Sequence, residues 1–124
     1  MSDDLQDWMR KLVDAAVRGV DEQEIFADPL IEAKPAWALP YRILVGKIRE
    51  QQNPRAFQWF ICGEVPLDFL PSEVATTPRE ALRHFAMKWQ LAAERANEKE
   101  HADTLIDDAE AIYELADADN FWQP

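Results

Sequence analysis

The chain has 124 residues, 48% of them apolar and 30% charged, a composition that fits one folded domain with a core of its own and excludes a disordered chain. Twenty-four acidic residues against thirteen basic ones leave a net charge of −11, which argues against nucleic acid as the partner, because phosphate backbones are held by cations. A single cysteine excludes an internal disulfide and any zinc site built on paired cysteines.

In chain order, Leu5, Trp8, Met9, Leu12, Val13, Ala16 and Val20 recur at three-and-four spacing and predict an amphipathic first helix. Ser2 can cap it, Asp3 and Asp4 suit the positive end of its dipole, and Gly19 is the expected stop. Asp21 and Glu24 have the spacing of a capping box, predicting a short second helix over residues 22–27 that Asp28-Pro29 breaks.

Between Trp37 and Arg49 the pattern turns to alternation, Tyr41, Ile43 and Val45 against Arg42, Leu44 and Gly46, which reads as a strand with Pro40 at its start or on an edge. Asn53-Pro54 marks a turn, and Phe57, Trp59 and Ile61 alternate with Gln58, Phe60 and Cys62 in a second strand. The two are most simply an antiparallel hairpin, which needs helices or a third strand to be stable. Residues 63–71 read as an irregular connection fixed by Gly63, Pro66 and Pro71.

Thr77-Pro78-Arg79-Glu80 is the clearest local signal, with a capping threonine, proline at the first helical position and a glutamate able to reach back. The helix it opens carries Leu82, Phe85, Ala86, Trp89, Ala93 and Ala96 on one stripe, and the last helix carries Ala102, Leu105, Ile106, Ala109, Ile112, Tyr113 and Ala116. These elements predict an α+β fold in a single domain over residues 1–124: a small antiparallel sheet, a hairpin or three strands, packed with an N-terminal helix and two C-terminal helices. The second strand is apolar on both sides, so either both faces are covered or a homodimer buries one of them.

Charge is unevenly spread. Residues 1–32 carry nine acids and three bases (−6), 33–62 one and five (+4), 63–97 five and four (−1), and 98–124 nine and one (−8). The strands are thus a basic patch between acidic ends. Lys47, Arg49 and Arg55 in it either pair with helical acids or form a partner surface.

Chemical constellations are sparse. Cys62 and His84 could form a nucleophile pair only with an orienting group and oxyanion donors, and no such sequence surrounds them. His84 and His101 have no metal-ligand spacing, the acids of the last helix lie at helical spacing rather than in a calcium loop, and three glycines cannot build a phosphate loop. No catalytic residue, metal or cofactor is therefore expected. Of the five tryptophans, Trp122 stands with Phe121 near the chain end, either folded back onto the body or exposed for docking. The acidic start lacks a following apolar run, and no stretch approaches a membrane span, so a cytoplasmic protein with no membrane partner is expected.

The run from Trp59 through Gly63-Glu64-Val65-Pro66-Leu67-Asp68, followed by Pro78-Arg79-Glu80 and the Arg83-His84-Phe85…Trp89 helix, resembles the uncharacterised bacterial domain-of-unknown-function family 4826. The resemblance covers most of the chain; it implies a cytosolic single-domain protein and transfers no catalytic residues. The leading expectation is a non-enzymatic accessory or binding module for a protein or peptide. Its candidate surface is Gly63, Glu64, Pro66 and Asp68 with Arg79, Arg83 and His84, where a proline-fixed loop and a capped helix start could present amides and cations to a carboxylate. The other reading of Asp68 is a cap or brace for its own loop, for instance against Arg79 or Arg83. The alternative is an acidic inhibitor or immunity-type protein that blocks a basic partner with Asp103, Asp107, Glu110, Glu114 and Asp117 of the last helix.

Overall fold

The structure, a computed structural model, describes residues 2–27, 31–53 and 56–122. The Ser2 side chain, Asp28-Pro29, Pro54 and Arg55 lie outside the described residues, and with them the expected Ser2 cap, the break at Asp28-Pro29, part of the Asn53-Pro54 turn and the pairing of Arg55. The protein is α+β. Its contacts divide it into two compact units, Met1–Glu73 and Val74–Pro124.

The first unit opens with α1, Ser2–Glu22, followed by β1 (Ile31–Leu39), β2 (Ile43–Glu50), β3 (Phe57–Gly63) and β4 (Asp68–Pro71), which form one antiparallel sheet in the order β1-β2-β3-β4. The apolar stripe of α1 behaves as its spacing predicts. Ala16 and Val20 are fully buried, and Trp8, Met9, Leu12, Val13 and Val17 pack with them against a cluster of Leu44, Ile48, Phe60, Cys62 and Phe69 from the sheet. On the other face Ile43, Val45, Trp59, Ile61 and Leu70 are buried as well, so both sides of the sheet carry core residues.

The end of α1 corrects the sequence reading twice. Gly19 does not stop the helix, which runs three residues further, and no second helix forms over 22–27. Gly19 instead lies close against Leu67: a Cβ there would lie 2.5 Å from Leu67 Cδ2, and that side chain would have to shift. The true stop is Glu24, at φ 53. The Ile25 amide donates to Val20 O at 3.1 Å and the Glu24 amide to Asp21 O at 3.2 Å, the paired bonds of a Schellman motif, and Ile25 packs on the cluster that holds Val20. Asp21 and Glu24 thus close a helix rather than open one. A left-handed non-glycine residue costs about 1–2 kcal/mol, and glycine returns about 0.5–1 kcal/mol of that as unfolded-state entropy. Glu24→Gly is therefore expected to stabilise the protein by about 0.5–1 kcal/mol in urea denaturation; a destabilised variant would contradict this account of the helix end.

The sheet has four strands, more than expected, because residues 31–39 form β1 and the connection after Gly63 contains β4. Pro40 lies in the turn between β1 and β2, not at a strand start. Arg42 N donates to Leu39 O at 3.0 Å, and Tyr41 takes φ 65. Proline holds φ near about −65°, so of the standard turns only type II accommodates the pair. Tyr41 fills a position that favours glycine while its ring packs at a tilt against Trp8, at 5.8 Å and 46°. Pro35 lies in β1, at the rim of the sheet, where a register shift separates it from Trp37, and Pro71 ends β4 at the other rim.

In the second unit α2 spans Pro78–Arg95 and α3 Lys99–Asp117, packed on one another. The Glu80 amide donates to Thr77 Oγ1 at 3.2 Å, as the capping sequence predicts, but the Glu80 carboxylate reaches one residue further, accepting from Thr76 N at 2.9 Å and Thr76 Oγ1 at 3.1 Å. Those bonds from Thr76, helped by His84 and Arg83, hold the Glu80 carboxyl below its ordinary range. The α2 stripe is buried from Ala81 to Ala93, while Ala96 is the half-buried cap. On α3 the buried stripe is narrower than expected. Ala109, Ile112 and Ala116 are buried, whereas Ile106 and Tyr113 are exposed.

Candidate functional site: a basic cleft on the sheet

The face of the sheet opposite α1 changes character along β2. Val45 is buried and apolar, but the next two residues on that side are Lys47 and Arg49. Register brings Glu32 of β1 opposite Arg49 and Lys34 opposite Lys47, while on β3 Phe57 and Trp59 stand opposite Arg49 and Lys47. Glu32, Lys34, Lys47, Arg49 and Phe57 line a cleft of about 360 Å³.

Its charges are unequally satisfied. The Arg49 guanidinium donates to Glu32 at 2.6 Å, an acid on the adjacent strand rather than one from a helix. Lys47 pairs with no carboxylate among the described residues; its Nζ lies 4.8 Å from the Phe57 ring and 5.1 Å from the Trp59 ring. Those rings meet edge to face at 5.5 Å, so the ammonium sits on a fixed aromatic surface. Lys34 has no ion pair among the described residues. Two like charges facing each other across a strand pair repel and destabilise the sheet. In a chain with almost twice as many acids as bases, two lysines share a ladder position without an acid between them. The arrangement can bind an anion.

The sequence-derived candidates fall in two places. Gly63, Glu64, Pro66 and Asp68 belong to the end of β3, the connection and the start of β4. Gly63 has φ +116, and the Glu64 amide donates to Arg42 O at 2.7 Å while its carboxylate pairs with Arg42 Nε at 3.1 Å. Asp68 Oδ1 accepts from the Phe69 amide at 2.8 Å, a local brace within its own strand. Pro66 is exposed. Within the first unit, then, Glu64 binds the β1–β2 turn and Asp68 bonds the next amide of its own strand.

Arg79, Arg83 and His84 lie on the first two turns of α2. Arg79 Nε donates to Ala116 O at 2.6 Å, another of its nitrogens pairs with Asp119, and its guanidinium stands 5.9 Å from the Trp122 ring. Trp122 Nε1 in turn donates to Leu115 O at 3.1 Å, so this tryptophan folds back onto its own unit. The last turn of α3 has no basic residue; Arg79 supplies the cation that its carbonyl end requires. Arg83 is exposed and His84 half-buried.

Lys34, the residue the sequence reading missed, lies on an unrecognised strand. The signal that could have found it was the positive sum over residues 33–62. Cys62 is buried, its thiol directed at Leu12 O at 3.9 Å, and burial pushes it up to about 12, so it is protonated at neutral pH. Among the described residues no group of three His, Cys, Asp or Glu side chains is placed to hold a metal ion, and no helix is long and apolar enough to cross a membrane.

Fold and cleft together define a small α+β protein with a basic, aromatic-walled depression on an antiparallel sheet. The chain belongs to the family described as domain of unknown function (DUF4826), whose model matches residues 3–122. No curated protein and no solved structure matches it.

Proposed function

We propose that the protein is a non-enzymatic binding module that takes an anionic ligand in the cleft over β1, β2 and β3. The observation that carries this reading is the facing pair Lys34 and Lys47, which costs the free sheet stability and becomes favourable when a negative group lies between them. Polar sites that oppose folding yet serve binding show this trade of stability for function. The roles follow from position: Lys34 and Lys47 supply charge, Arg49 is oriented by Glu32, and Phe57 forms the wall.

Lys34→Glu tests the reading by moving two quantities in opposite directions. It places an acid opposite Lys47, so the variant is expected to be about 0.5–1 kcal/mol more stable than the parent in chemical denaturation. Inorganic phosphate, followed by amide chemical shifts along β1 and β2, is expected to bind the parent and not the variant. Phosphate shifts that survive Lys34→Glu undiminished would defeat the proposal.

A second reading, blockade of a basic partner by α3, draws support from the exposure of Asp103, Asp107, Glu110, Glu114 and Asp117. It uses none of the cleft residues, so the set of substitutions that abolishes binding separates the two.

A further inference from the structure

We infer that the ligand of the cleft is a small dianion attached to an aromatic ring, an aryl phosphate or an aromatic dicarboxylate; this rests on the reading of the cleft as an anion site and specifies its occupant. Three observations select that class. Among the described residues the lining holds Lys34, Lys47 and Arg49 against the single acid Glu32, a surplus of two positive charges. A monoanion leaves one of them uncompensated, and a dianion neutralises both. The volume of about 360 Å³ is near the lower end of the range of about 300–1,000 Å³ in which proteins bury small ligands, which suits a single ring with its charged group rather than a polymer.

The third observation is the wall. Phe57 is half-buried, braced edge to face by the fully buried Trp59, and covered in the free protein by the Lys47 ammonium. An inorganic anion would draw Lys47 off that surface and leave an apolar ring facing water. A ligand with its own ring covers Phe57 as the ammonium leaves it, so the aromatic group and the charge bind together. Arg49 is held by Glu32 at one end of the cleft. Lys47 is the group that moves, from the rings to the anion.

The experiment compares phenyl phosphate, phthalate, inorganic phosphate and benzoate by isothermal titration and by the side-chain methylene resonances of Lys47, which the two rings shift in the free protein. Phenyl phosphate or phthalate is expected to bind at least tenfold more tightly than inorganic phosphate or benzoate, and which of the two binds better identifies the anionic group. The Lys47 ring-current shift should collapse on binding, and Phe57→Ser should reduce the aryl dianion to the affinity of inorganic phosphate. Equal affinities for phenyl phosphate and inorganic phosphate, both lost in Lys34→Glu, would overturn the aromatic assignment and leave the anion site standing. No binding by any of the four, or binding indifferent to Lys34→Glu, would overturn both. A single-stranded RNA oligomer that binds more tightly than the aryl dianions would overturn the small-ligand assignment.

Discussion

Alanine at position 63 is expected to lower the unfolding free energy by about 3 kcal/mol or more, measured as a shift in the urea midpoint at unchanged slope. Two independent costs meet there. The backbone of Gly63 is at φ +116, where residues with a Cβ are strained. A Cβ at this position would also lie 2.2 Å from Arg42 O and 3.2 Å from Ile43 Cα. Both are main-chain atoms, one in the last residue of the β1–β2 turn and one in the first of β2, and cannot rotate away, and Arg42 O is already bound to the Glu64 amide at 2.7 Å. Relief would require β2 and β3 to separate where Ile43 and Gly63 pair. A Gly63→Ala variant within 1 kcal/mol of the parent would refute this description of the β3 exit.

Removal of the Phe60 ring is the second large expected effect, about 4 kcal/mol for Phe60→Ala by the same measurement, within the usual cost of about 3–5 kcal/mol for emptying a buried phenylalanine site. The ring is fully buried beneath α1 and packs directly over Gly46, whose missing side chain is the space it occupies: a Cβ on Gly46 would lie 2.4 Å from Phe60 Cζ. The two residues face each other in the β2–β3 register. With the ring gone, nothing on the Gly46 side can fill the void. Gly46→Ala should accordingly be costly in the parent and less so in Phe60→Ala, the remaining cost coming from main-chain Lys34 O, 2.6 Å from the new methyl group. Strictly additive effects would show that ring and glycine are not coupled.

Much of the fold could be read from residue periodicity. The stripe from Trp8 to Val20 and the Thr77–Glu80 cap rest on local rules that the tertiary structure reinforces, and β3 announces itself by aromatic and β-branched alternation. The features that escaped are those in which local signals conflict. β1 contains Pro35 and a register shift before Trp37, so its alternation is broken at the centre. β4 is four residues long and ends in proline. The end of α1 lies beyond the expected Gly19 stop, because a glutamate occupies the left-handed position and a glycine inside the helix packs closely on Leu67.

The candidate site was harder to read for a different reason. Lys34 and Lys47 are thirteen positions apart, and only strand register makes them neighbours. Segment charge located the basic region but could not show that two of its lysines face each other. The residues singled out from the sequence instead, Gly63 to Asp68 and Arg79 to His84, are dense in special residue types. Gly63, Glu64, Asp68 and Arg79 use theirs in turns, a local brace and a helix end.

Pro35 and its neighbouring irregularity at one rim of the sheet, and the short proline-ended β4 at the other, limit how this protein can meet other polypeptides. Lateral growth by an added strand needs a continuous row of amides and carbonyls, and both borders interrupt it. The sheet is therefore poorly suited to edge-wise polymerisation into fibrils or to capture of an extended peptide along its border. Recognition is left to its surfaces and pockets.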